Sequence, residues 1–211
     1  MSRPVSSLAD ILDARYVDRG VARTPRPAPR WSFEALAGRL VELGAGAAPA
    51  QLTAAFTMVL DAQRRGEIAA WVTAVHSSFF PPDAAAAGID LDALIVVRLA
   101  AAAEIPRAAD RLIRSGALGL AVLDLSSGKG AAAPFPQAYE SRLAGLARLH
   151  GTAVILLTDA DLGTRLGPLV SLRGEARRRG ALELEIRALR DKRGAVGMRH
   201  VEPCRGPAGL R

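Results

Sequence analysis

Four stretches of this chain run apolar almost without interruption: IAAWVTAV (68–75), ALIVVRL (93–99), ALGLAVLDL (117–125) and TAVILLT (152–158). A strand with one wet face alternates polar and apolar residues. A strand without alternation is buried on both faces, which is the condition of a parallel sheet covered by helices. Arg98 breaks the apolar run at 94–103, which falls short of the roughly 20 residues needed to cross a bilayer. No charged-then-apolar leader opens the chain, so the expected location is the cytoplasm, with no membrane partner.

Helical patterns separate these runs. RLVELG (39–44) reads as a first short strand. LTAAFTMVLDAQRRG (52–66) places Leu52, Phe56, Val59 and Leu60 on one face and closes at Gly66. PPDAAAAG (81–88) opens with Pro81 and Pro82 and ends at Gly88. IPRAADRLIRSG (105–116) and PQAYESRLAGLARLHG (136–151) are further amphipathic helices. After residue 158 the rhythm changes: PLVSLR (168–173), LELEIRAL (182–189) and GMRHVEP (197–203) are strand-like with no long helix between them. LELEIRAL alternates as a half-exposed antiparallel strand does. The expected fold is α/β, a parallel sheet sandwiched by helices and extended by a C-terminal β meander. Upstream, residues 6–16 read as a short helix with Ser7 as N-cap and Leu8, Ile11 and Leu12 as an apolar stripe. RGVARTPRPAPR (19–30) has three prolines, several arginines and no apolar period. The expected division is a docking helix at 1–18, a Pro/Arg-rich linker at 19–38 and a core at 39–211.

The junction ELGAGAAPAQLT (42–53) follows the first core strand and precedes a helix, the place of a phosphate-binding loop. Gly44 and Gly46 would let backbone N–H groups approach an anion. A working loop also needs a Lys for the phosphates and a Ser or Thr for Mg²⁺. Those positions hold Pro49, Ala50 and Gln51, so nucleotide hydrolysis is not expected and a turn kept small for packing is the other reading. SSGKG (126–130) imitates the end of such a loop, but Leu123 stands at its leading Gly position and Gly130 at its Ser/Thr position. Asp124 ends a buried strand, where an aspartate either holds Mg²⁺ or accepts hydrogen bonds from loop donors. His76 ends the second apolar strand without an evident nucleophile or metal partner. His150, His200 and the single cysteine, Cys204, show no metal-ligand spacing, and Phe79 and Phe80 are expected in the core.

The charge is uneven. Of the formal net +7, most sits in residues 173–211, with eleven basic against five acidic side chains. All basic residues except Lys129 and Lys192 are arginines. The turn RDKRGAVG carries Arg190, Lys192 and Arg193 between two expected strands, a cluster suited to phosphates or to an acidic protein face. With aromatics at 4%, stacking on single-stranded bases is not supported.

Taken in order, RLVELG, LTAAFTMVLDAQRRG, IAAWVTAVHSSFFPPDAAAAGIDLDAL and RAADRLIRSGALGLAVLDLSS resemble the core of the RecA recombinase family, from its phosphate loop to its Walker B strand. Asp124 stands at the aspartate of that strand. ELEIRALRDKRGAVGMRHVEPCRGPAGL resembles the strand pair closing the same core, whose basic turn matches Arg190 and Lys192. The likeness runs over roughly 39–210 and departs from the family in a consistent direction. The loop Lys and Thr are absent, a catalytic Glu falls near Val75 beside His76, and the two DNA-binding loops are trimmed to AAAPFP (131–136) and DADLGTRLGP (159–168). This combination is similar to the ImuA family, small RecA-like accessories of damage-induced mutagenesis. The resemblance implies a non-catalytic protein of SOS-induced DNA repair, without cofactor or metal. Its implied partners are RecA, the polymerase-like adaptor ImuB and an error-prone replicative polymerase. Leu8, Ile11 and Leu12 would dock on a partner, and Arg190, Lys192 and Arg193 would meet DNA or an acidic partner face. The alternatives are a divergent RecA-type ATPase and a simple basic DNA-binding module.

Overall fold

A computed structural model describes residues 31–46, 48–126, 135–159, 166–180, 183–194 and 196–204. The expected docking helix with Leu8, Ile11 and Leu12, the decoy lysine Lys129 and residues 131–134 and 160–165 of the two trimmed loops lie outside the described residues.

The described strands are β1 (Leu40–Ala45), β2 (Ala69–Ala74), β3 (Leu94–Leu99), β4 (Leu120–Asp124), β5 (Ala153–Thr158), β6 (Leu172–Arg178), β7 (Glu183–Asp191) and β8 (Arg199–Pro203). They form one sheet in the order β3-β2-β4-β5-β1-β6-β7-β8. The first six are mutually parallel, whereas β7 and β8 are antiparallel additions. The helices are α1 (Phe33–Leu36), α2 (Gln51–Arg64), α3 (Pro81–Ala86), α4 (Ile105–Arg114) and α5 (Gln137–His150), with a 3-10 turn at Ala102–Glu104. The parallel core flanked by helices and the closing meander are therefore as the sequence pattern requires.

The sheet separates two apolar layers. On one face, α1 and α2 cover Val41, Leu43, Trp71, Val122 and Ile155 and reach Leu172, Ala176, Leu184 and Ile186 of the meander. On the other, α4 and α5 cover Leu40, Val72, Leu123, Val154 and Leu156. β4 and β5 are buried along their whole length, which accounts for their lack of alternation.

Three segments differ from their sequence pattern. Residues 31–38 fall within the expected linker, yet Trp31, Phe33 and Leu36 are buried. Trp31 Nε1 donates to Ala54 O at 3.0 Å and Phe33 N donates to Asp61 Oδ2 at 2.7 Å, so this stretch is fastened to α2. PLVSLR (168–173) overlaps the observed β6 only at its end. The inward positions of β6 are Leu172, Gly174 and Ala176, and the last two are too small to register as an apolar period among arginines. The Phe79/Phe80 pair divides: Phe79 is buried and Phe80 is 56% exposed.

Candidate functional site

In an open parallel sheet a ligand sits beyond the carboxyl ends of the strands. Here that end gathers Gly44 of β1, opposite Thr158 of β5, with Asp124 of β4 opposite Leu157. Thr73 of β2 joins them through its side chain: Thr73 Oγ1 donates to Asp124 Oδ2 at 3.2 Å. Asp124 Oδ1 accepts from the Ser126 backbone N at 3.1 Å and from the Ser126 hydroxyl. Burial pushes the Asp124 carboxyl above the usual carboxylate range. The Ser126 and Thr73 hydrogen bonds pull it partly back, and nearby Asp159 raises it again. Asp124 is thus an enclosed acceptor for Thr73 and for its own loop.

The loop after β1 has an unusual path. Gly46 N donates to Ala176 O at 3.1 Å, and Arg178 N donates to Ala48 O at 2.9 Å. Pro49 makes an isolated antiparallel bridge with Arg177. Space at Gly46 is tight: a Cβ there would meet Glu175 Oε1 at 2.6 Å and Arg177 Cβ at 3.0 Å. Helix α2 then begins at Gln51 behind Ala50, which supplies no side-chain cap. Gln51 is buried, and its Oε1 has no hydrogen-bond partner among the described residues.

The resemblance implies a nucleoside triphosphate with Mg²⁺ at this end. The residues present do not fit it. Pro49 has no N–H to offer, and the N–H of Gly46 is given to β6. The single lysine of the described residues, Lys192, lies at the other end of the sheet. Among the described residues no three His, Cys, Asp or Glu side chains are grouped to hold a metal ion. His76 is exposed at the end of β2, and His150 and His200 stand on α5 and β8.

Arg190, Lys192 and Arg193 are all exposed in and after the end of β7. Leu172, at the start of β6, is level with both Val41 and Asp191. The turn therefore lies at the amino ends of the parallel strands, across the sheet from Gly44 and Asp124. The two residue sets expected from sequence are not one site. What fastens the turn is a residue the charge pattern passed over. Asp191 is buried between Arg190 and Lys192 and pairs with Arg39, just ahead of β1. Arg39 Nε also donates to Ser171 Oγ at 3.1 Å, and Lys192 N donates to Ser171 O at 2.9 Å. An acid inside a basic triplet was the available signal.

A second feature lies at the sheet margin. β3 is paired on one side, and Ile95 and Val96 are 43% and 38% exposed. The opposite margin, β8, carries Arg199, Glu202 and Pro203, residues that blunt an edge. Among the described residues the β3 margin has no such protection except Arg98, which leans on Phe79.

A model of the RecA N-terminal domain matches residues 35–158. Curated relatives named Protein RecA are similar over parts of the chain. That of Salinispora tropica is 40% identical over 87 residues, 41% of this chain and 25% of its own length. That of Corynebacterium urealyticum is 33% identical over 121 residues, 57% of this chain and 29% of its own length. The chain thus spans between a quarter and a third of the length of these relatives.

Proposed function

The chain belongs to the RecA N-terminal domain family, and from that premise we propose that it is a non-catalytic RecA-like accessory of DNA repair. The observation that carries this reading is the engagement of Asp124 by Thr73 and Ser126 beside a loop bonded to β6. That end of the sheet is built for its own hydrogen bonds, and the chain acts by the surfaces it shares with RecA. The similarity to the ImuA family supplies the finer reading. The protein binds RecA, or the ImuB adaptor and its error-prone polymerase, in the cytoplasm, and favours translesion synthesis over recombination. Leu8, Ile11 and Leu12 dock on the partner, and the open β3 margin supports a role in contacts between RecA-type cores.

The test is a titration of the protein into RecA on single-stranded DNA while ATP hydrolysis is followed, with the protein alone as control. No turnover alone and a change in the RecA rate is the expected result. Turnover by the protein alone refutes the non-catalytic reading. No effect in either arm moves the partner to ImuB or the polymerase. Replacing Leu8, Ile11 and Leu12 with Asp abolishes co-purification if the helix docks, and intact co-purification rejects that role.

The exposed Arg190, Lys192 and Arg193 favour a second reading, a basic DNA-binding module. Three phosphate contacts on single-stranded DNA give a slope of log K against log salt of about −2. Retention that ignores salt counts against it.

A further inference from the structure

Losing a lysine and a threonine removes chemistry from a phosphate loop without changing its shape. This loop also commits backbone groups to β6. An anion nest needs successive backbone N–H groups turned toward one point. Here Gly46, Ala48 and Pro49 are each tied to β6: Gly46 N donates to Ala176 O, Ala48 O accepts from Arg178 N, and Pro49 bridges Arg177. Glu175 lies on the same stretch of β6, level with Gly44, and its Oε1 stands 2.6 Å from where a Cβ on Gly46 would lie. A carboxylate against the loop backbone opposes a polyphosphate by its volume and by its charge.

We propose that the backbone bonds to β6 hold this loop shut, with the Glu175 carboxylate filling the space beside Gly46, so that the carboxyl end of the sheet keeps one shape whether or not nucleotide is present. The inference rests on the non-catalytic reading and deepens it: association with a RecA-type partner is then insensitive to this chain's own nucleotide supply.

The first measurement is amide hydrogen exchange on the unaltered full chain. Gly46 and Arg178 amides are expected to exchange as slowly as the amides within β6. Rapid exchange at both overturns the closed loop. The second is titration calorimetry with ATP and Mg²⁺ on three variants: Glu175→Ala, the loop variant Pro49→Gly/Ala50→Lys/Gln51→Thr, and the two combined. The expected result is no binding by Glu175→Ala, at most weak binding by the loop variant, and at least tenfold tighter binding by the combination. Equal affinity of the loop variant and the combination, at any strength, overturns the assignment of Glu175. If circular dichroism shows the triple change unfolded, Ala50→Lys/Gln51→Thr alone takes its place in the same comparison. The exchange result needs no partner, so a RecA titration without effect leaves it standing, and the two failures are separable.

Discussion

Replacing Asp191 with Asn should destabilise the protein by about 3 kcal/mol, through charge alone. Arg39 and Asp191 have side chains 2% and 1% exposed, which makes this the most enclosed ion pair among the described residues. Asp191 Oδ1 accepts from Arg39 and from Arg193 N, the latter at 2.8 Å, while Oδ2 has no partner among the described residues. An Asn amide set with its oxygen at Oδ1 keeps those acceptor bonds and puts its NH₂ where no bond is lost. What disappears is one negative charge beside a buried guanidinium. Removing one member of a buried pair costs about 3–5 kcal/mol, and the surviving hydrogen bonds place this case at the low end. Against a total stability of about 5–15 kcal/mol, that is a fifth or more. For a chain of this size it lowers Tm by about 6–12 °C. Urea unfolding followed by circular dichroism, with Trp31 and Trp71 fluorescence as a second probe, gives the number. Arg39→Met/Asp191→Leu should recover most of the loss, because an apolar pair of similar volume has no desolvation penalty. A loss under about 1 kcal/mol for Asp191→Asn would refute the reasoning, since it would mean the guanidinium finds its compensation elsewhere. The turn should also loosen, so binding that depends on Arg190, Lys192 and Arg193 weakens although no cation has been removed.

The raised pKa of Asp124 fixes the sign of a pH effect. Between its ordinary carboxylate pKa and the raised native one, the folded state holds a proton that the unfolded state has released, so this group's contribution falls as pH rises. Asp124→Asn should therefore gain stability over the native chain near neutral pH, and the gain should shrink toward pH 4 in paired urea titrations; a difference that stays flat with pH removes the linkage. Trp71 is fully buried between Phe56 and Phe79, at ring-centroid distances of 5.3 and 4.9 Å. Trp71→Ala should cost about 3–5 kcal/mol. Among the described residues Trp71 Nε1 is buried without a partner, so Trp71→Phe should cost less than Trp71→Ala, because the smaller ring still fills most of the site and the polar group it removes makes no bond; near-equal losses for the two variants in chemical denaturation would contradict this.

The parallel core was legible because burial on both faces leaves its mark on composition: Leu120–Asp124 and Ala153–Thr158 have no polar side to show. The helices between them were equally plain, since a one-sided helix repeats its apolar residues at a fixed period. The absent loop lysine and the position of Asp124 also needed only the order of residues. What the linear pattern hid depends on partners distant in the chain. β6 turns inward on Gly174 and Ala176, and such small residues register as core only once β1 and β7 are beside them. Trp31 and Phe33 looked like the tail of a linker until α2 offered Ala54 O and Asp61 as acceptors. Period and composition thus determined the layers of this protein, because they report whether a segment meets water. The closed loop, the Arg39–Asp191 pair and the separation of the basic turn from Asp124 were decided by the tertiary structure. Each is an interaction between groups far apart in sequence, and only strand order and register bring such groups within bonding distance or hold them apart.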